Sequence, residues 1–375
     1  MGYNVRTQYV EHSQRQKIQL IVYYFRYIAT SVSLTLMLHM GHAAQANDEL
    51  VVVASIKPVH SIVSAIMEGV GEPHLIMKGT SSPHTFNLRP SDARALDRSD
   101  VVFQIGQAME ASLADIMWTL AARAEIVSLS HATKLVKLSY REGGVFEPHD
   151  HDHGHSSHTV GGVPTPSNTN DARHDADHGH DDEEVHEDAS IHEHLLEDEV
   201  DETFDMHIWL DPENGRVIAE VVASVLANHD AENSDTYAIN LKKFLAKMDA
   251  LESELQGDLE ALDDRPFIAF HDAYRYFEDR FNLLAVGSAV VVPGRSAGAR
   301  RIQELRQKIN ELNVVCVFSE PQFDEQLILT IVEDTNAKVG VLDPLGSSLE
   351  DGTTLYPALL RDMGDSFRDC LKPVT

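Results

Sequence analysis

The chain has 375 residues, 43% of them hydrophobic and 24% charged, the composition of an ordinary globular protein, so wholesale disorder and collagen-like repetition are excluded. Sixty acidic against thirty basic residues leave a formal charge of −30, which repels phosphates and argues for cations, and against nucleic acid, as partners. Two cysteines, Cys316 and Cys370, are too few for a disulfide scaffold or a four-thiolate metal site and enough for one bridge.

Arg6, Arg15, Lys17 and Arg26 precede a mostly apolar stretch from Tyr27 to Met40, and Ala44-Gln45-Ala46 supplies the small-x-small pattern that a signal peptidase accepts. Residues 1–46 therefore read as a secretory signal, because the apolar part is shorter than the roughly 20 residues of a membrane span. The expected mature chain is soluble in an oxidising compartment. There the cysteines, 54 positions apart, can close, for a stabilisation of about 4 kcal/mol in the chain-entropy model.

From Asn47 onward, short β-rich runs alternate with helical patterns. Leu50 to Ile56 reads as a buried strand and Pro58 to Glu68 as a helix with proline in its first turn. His74 to Met77, Asp100 to Gly106 and Ala124 to Ser130 read as strands, separated by helices over Pro90 to Leu96 and Glu110 to Ala122. Strands without alternation, separated by helices, predict a parallel sheet covered on both faces. Between Glu147 and Asp205 stand eleven histidines and nineteen acidic residues with one basic residue, Arg173; such a segment cannot form a core and is expected to be a disordered loop. Pro212 to Asn228 predicts one helix. Tyr237, Leu241, Phe244, Met248, Leu251, Leu255, Leu259 and Leu262 then mark one stripe of a second, long enough to act as a strut.

After Pro266 the alternation returns, with strands expected over Phe267 to His271, Leu283 to Gly287, Val314 to Phe318 and Val339 to Leu342. Helices are expected over Asp272 to Phe281, Ser296 to Leu312, Glu325 to Asn336 and Leu355 to Cys370. The reading is an α/β protein of two lobes, each a mostly parallel sheet flanked by helices, joined by one long rigid backbone helix. Residues 47–234 form the first lobe, with the His/Asp/Glu-rich loop 147–205 inside it. Residues 235–262 form the linking helix and 263–375 the second lobe. A cleft between two such lobes, at the carboxyl ends of the strands, is where a ligand is expected.

Three histidines outside the acidic loop occupy such positions: His84 in Ser81-Ser82-Pro83-His84, His207 opening His207-Ile208-Trp209-Leu210, and His271 ending a strand. A lone histidine of this kind is more often a hydrogen-bonded core residue, but three on loops of both lobes suit Zn²⁺, which accepts nitrogen at about 2.0–2.1 Å in a tetrahedral shell. Asp343, after a strand of the second lobe, is a candidate fourth ligand, directly or through water, and equally a turn-forming Asp-Pro pair. His60, in the first turn of a helix, is expected to line the cleft. Asp272 is expected to cap the helix that follows it, with a role in fixing the neighbouring imidazole as the alternative. In the acidic loop, His149, His151, His153, His155, His178 and His180 alternate with carboxylates and glycines and suit a secondary, weaker metal site. No HExxH, GxSxG, phosphate loop or dinucleotide fingerprint is present. Glu320 and Asp343 are conceivable bases for a zinc hydrolase, yet no spacing selects them, so binding is favoured over turnover.

At these residues the sequence resembles the periplasmic zinc-binding components of bacterial zinc-uptake ABC transporters, within the metal-binding solute-binding proteins. The likeness rests on Ser55-Ile56-Lys57-Pro58, His84 with Leu88-Arg89-Pro90-Ser91-Asp92, Met206-His207-Ile208-Trp209-Leu210, Phe270-His271-Asp272-Ala273-Tyr274, Cys316-Val317-Phe318-Ser319-Glu320-Pro321 and Leu342-Asp343-Pro344-Leu345-Gly346. The resemblance implies that His84, His207 and His271 bind transported zinc, that Cys316 pairs with Cys370, and that the His-rich loop modulates loading. It further implies a monomer that hands zinc to a membrane permease driven by a cytoplasmic ATPase. Manganese-binding relatives typically carry a carboxylate where His271 stands, which favours zinc. Some zinc relatives have a glutamate before the first ligand, where this chain has Pro83, leaving water or Asp343 for the fourth position. A periplasmic zinc buffer or an adhesin on the same scaffold is the alternative function.

Overall fold

Every strand of the two sheets among the described residues is short, and each hydrogen-bonds to its neighbours in parallel. The computed structural model describes residues 50–141, 146, 204–290 and 297–373. Within it, strands β1 (Val52–Ala54), β2 (His74–Leu75), β3 (Val101–Gln104) and β4 (Glu125–Ser128) make a sheet of order β2-β1-β3-β4. Strands β5 (Phe267–Ala269), β6 (Ala285–Ser288), β7 (Cys316–Ser319) and β8 (Lys338–Val341) repeat that order as β6-β5-β7-β8. Parallel neighbours need crossover connections. In the first lobe these carry helices α1 (Lys57–Ile66), α2 (Pro90–Asp97) and α3 (Ala114–Leu120). Helices α4 (Pro212–His229) and α5 (Ser234–Leu259) follow, and α6 (Arg275–Phe281), α7 (Ala299–Glu311), α8 (Gln326–Val332) and α9 (Leu355–Leu371) belong to the second lobe. Leu50–Thr375 forms one compact unit.

The stripe on α5 is the part of the pattern most directly realised. Tyr237, Phe244, Met248, Leu251, Leu255 and Leu259 are buried along one face, and the 26-residue helix is about 39 Å long. It packs against α1 and α4 of the first lobe and α9 of the second, so one rod supports both sheets. The second sheet shows period-two sorting. Phe267, Ala269, Cys316 and Phe318 face the main core shared with the first lobe, whereas Ile268, Phe270 and Val317 face a smaller cluster under α7 and α8. A disulfide between Cys316 on β7 and Cys370 on α9, Cα atoms 6.0 Å apart, ties the sheet to the last helix.

Two helices start later than their apolar patterns suggest, for identifiable reasons. Glu110 does not open α3. Its carboxylate is fully buried and accepts hydrogen bonds from the Ser55 hydroxyl at 2.6 Å and from the N–H groups of Ile105 and Gly106 at 3.0 Å each. Asp272 does not cap α6, which begins at Arg275. Its carboxylate instead receives the Arg141 guanidinium, which also binds Glu278 of α6 at 2.7 Å. Phe204 and Asp205, read as the end of the acidic loop, belong to the fold: Phe204 bridges to Ser139, and Asp205 is 2% exposed. Residues 1–46, read from the sequence as a signal, and the histidines His149, His151, His153, His155, His178 and His180 lie outside the described residues. Among the described residues no helix is long and apolar enough to cross a membrane.

Candidate metal centre

His84 lies in the loop between β2 and α2, His207 immediately before the short turn Ile208–Leu210 that leads into α4, and His271 two residues beyond β5. His84 and His271 thus stand on chain leaving a parallel strand, at the carboxyl-end face of the sheets, and His207 joins them from the turn before α4. Their candidate ligand atoms all lie within 4.8 Å of one another, and the ring centroids are 5.2 Å apart for His207 and His271 and 5.8 Å for each pair with His84. His207 and His271 are buried; His84 is the most open of the three.

A buried carboxylate orients each of the two buried rings. His207 Nδ1 is 2.7 Å from Asp205 Oδ1, and His271 Nδ1 is 2.6 Å from Glu320 Oε1. An ionised carboxylate only accepts, so each Nδ1 carries the proton and each Nε2 is left with its lone pair. Those two Nε2 atoms face each other at 3.3 Å. Two lone pairs that close repel each other unless a proton or a metal ion lies between them. Zn–N bonds of 2.0–2.1 Å at the tetrahedral angle place two nitrogens about 3.3 Å apart, so this edge of a coordination shell is already set. Asp205 is itself fixed: its backbone carbonyl accepts from Tyr276 Oη at 2.6 Å, and its Oδ1 also accepts from the His207 N–H at 3.0 Å. Burial pulls the His271 pKa down, but the charge and hydrogen bond of Glu320, reinforced by Asp205 and Asp272, outweigh it and hold the ring above its ordinary value.

The rest of the pocket is mostly apolar wall. Trp209, Phe323, Pro344 and Leu345 surround the rings, and Trp209 is held from two sides. Its indole N–H donates to the Pro344 carbonyl at 2.8 Å, and its own carbonyl accepts from Tyr356 Oη at 2.7 Å. Tyr356 reaches that carbonyl only because Gly215 of α4 has no side chain; a Cβ there would stand 2.2 Å from the phenol oxygen. The space left inside is about 10 Å³, room for one water-sized sphere. An ion fits it and an organic substrate does not.

Comparison with known proteins accords with this geometry. The model of the family described as "Zinc-uptake complex component A periplasmic", ZnuA, matches residues 52–370. The chain belongs to the ZnuA family. It is 46% identical over 320 residues to the high-affinity zinc uptake system protein ZnuA of Brucella abortus, covering 85% of this chain and 91% of that one. It is 30% identical over 321 residues to the protein of the same name from Yersinia pestis, covering 86% and 91%. Among solved structures, a zinc-bound ZnuA deletion mutant superposes with a TM-score of 0.63 at 22% identity, covering 88% of this chain and all of that one, a likeness of fold.

Within this ZnuA-family scaffold, two expected site residues have other roles. Asp343 is outside the three-histidine group, and both its oxygens are engaged within its own loop and by Gln322. Oδ1 accepts from Gln322 Nε2 at 2.8 Å and the Leu345 N–H at 3.1 Å, and Oδ2 from the Ser347 N–H and hydroxyl at 2.6 Å each. The turn-forming reading of Asp343-Pro344 is the one realised. His60 does not line the pocket: its Nε2 lies 3.1 Å from the Pro73 carbonyl, and burial lowers its pKa. Conversely, Asp205 was hidden at the edge of the acidic segment and Glu320 stood out only as a conceivable base. A carboxylate two residues before a candidate ligand, and another directly after a strand that neighbours a ligand-bearing strand, are the signals that identify them.

Proposed function

We propose that this protein is a periplasmic solute-binding protein that captures Zn²⁺ with His84, His207 and His271 and delivers it to the permease of an ABC transporter, itself driven by a cytoplasmic ATPase. The observation that carries the reading is the pair of carboxylate-locked imidazoles with facing Nε2 atoms at a tetrahedral edge length. Family membership supports import as the direction of transport, and residues 1–46, read as a secretory signal, support the compartment. Zinc is cargo here, bound and released without chemical change. Three imidazoles suit zinc better than manganese, and with Asp343 tied to four donors water is the remaining fourth donor. The more open His84 closes the shell onto the preset pair.

A hydrolase is disfavoured on the same residues. Glu320 orients His271 through Oε1 and Asp343 holds its own turn, so each carboxylate has a structural task, and no motif marks either as the general base that a metal-bound water needs. Calorimetric titration of the mature chain with zinc tests the assignment. His207→Ala and His271→Ala each remove one of four donors from a site of the order of 10–16 kcal/mol and weaken binding about 100- to 1000-fold. His84→Ala has an effect at the lower end of that range. Unchanged tight binding in all three single variants would overturn the ligand set.

A further inference from the structure

Lys57 opens α1 in the first lobe, and its side chain is only 5% exposed. It points across to the second lobe. Its ammonium donates to the carbonyls of Leu349 at 2.8 Å and Ser347 at 3.3 Å, and pairs with Asp351 Oδ1 at 3.1 Å. All three acceptors lie on the loop that follows β8. A buried ammonium without acceptors is costly, so this loop is held where Lys57 can reach it.

The same loop is a wall of the three-histidine pocket. Pro344 and Leu345 line it, and the Pro344 carbonyl receives the indole N–H of Trp209. Asp343, at the start of the loop, binds both Ser347, whose carbonyl Lys57 holds, and Gln322, another lining residue. A continuous series of hydrogen bonds thus runs from an ammonium on one lobe, through the loop, to the wall over the rings. We infer that Lys57 is a positioning residue for the bound ion: it latches the loop 343–351 against the first lobe and thereby sets how long a captured zinc stays. This rests on the pocket being the zinc site.

Lys57 donates to the loop and not to the rings, so its removal frees the wall while leaving the ligand set in place, and the effect falls on the dissociation rate. The test mixes zinc-loaded mature chain with excess chelator in stopped flow. Lys57→Met releases zinc at least about tenfold faster than wild type, Lys57→Arg restores most of the difference, and Asp351→Asn, which removes the charge from one of three acceptors, accelerates release about two- to fivefold. The absorption bands of cobalt-loaded Lys57→Met match wild type, because the same imidazoles coordinate. A folded Lys57→Met with an off-rate within about twofold of wild type overturns the latch. So does faster release with altered cobalt bands, which places the effect in the coordination shell. Should Lys57→Met fail to fold, Asp351→Asn decides alone, and an unchanged off-rate there overturns the proposal. Absence of tight zinc binding in the wild type defeats the reading of the pocket itself, and the latch with it.

Discussion

In the first lobe, Glu110 follows β3 and closes on donors of the fold, the Ser55 hydroxyl and the N–H groups of Ile105 and Gly106. In the second lobe, Glu320 follows β7, the strand in the matching place of the sheet order, and accepts from His271 Nδ1 at 2.6 Å. Ser55 stands just past β1 and His271 just past β5, again matching central strands. Each sheet therefore has a buried carboxylate beyond the strand in the matching place, Glu320 directly after β7 and Glu110 a short loop after β3, and the partner it meets decides its use. Opposite a serine it holds the fold together; opposite a histidine it selects a tautomer and aims a lone pair at the cleft.

The largest effect that separates the lobes is expected from the cross-link that the second has. Replacing both Cys316 and Cys370 with serine removes a bridge over 54 residues and lowers unfolding free energy by about 4 kcal/mol. Urea denaturation measures it, and a loss under about 1 kcal/mol would mean that packing alone holds β7 to α9. Next comes the carboxylate pair itself. Glu320→Gln weakens zinc binding about 10- to 100-fold with a small change in melting temperature. Glu110→Gln sets its amide group against N–H donors, destabilises the fold by about 1–3 kcal/mol and leaves zinc affinity near wild type. Parallel melting curves and zinc titrations of the two variants would erase the distinction if both lost stability alone.

The smallest effect is in the pH dependence. Glu320 keeps the metal-free His271 ring protonated to a higher pH than an ordinary histidine, and zinc needs the lone pair that this proton occupies. Below that raised value each binding event must expel a proton, so apparent affinity falls as pH falls, by about tenfold per unit for one displaced proton. Removing the Glu320 charge lowers the pH at which the decline begins. Competition titrations from about pH 8 down to about pH 5 check both statements; a profile that is flat for wild type, or identical in Glu320→Gln, contradicts them.

Features encoded locally were the legible ones. The α5 stripe follows from spacings of three and four, and the βα alternation from runs of a few residues, so both appear with only small shifts at their ends. His84 and His271 could be singled out because strand ends can be read from the same alternation, whereas His207, in the turn before α4, ends no strand. Asp343 could not be assigned, since an Asp-Pro turn and a metal ligand look alike until the positions of Gln322 and Ser347 are known. The late starts of α3 and α6 were hidden for a similar reason: Glu110 and Asp272 answer to Ser55 and Arg141, each far away along the chain.

Composition, periodicity and motif order by themselves determined an α/β chain of two parallel sheets on a long helix, with imidazoles where those sheets end. Only the tertiary structure decided that Asp205 and Glu320 hold two of those rings with their Nε2 atoms 3.3 Å apart, that Asp343 shapes a loop, and that Lys57 reaches that loop from the other lobe. The division has a physical cause. Helix and strand periods arise from neighbours a few residues apart, whereas the tautomer of an imidazole and the hold on a pocket wall depend on single atoms within about 3 Å, brought there from partners as many as 292 positions away.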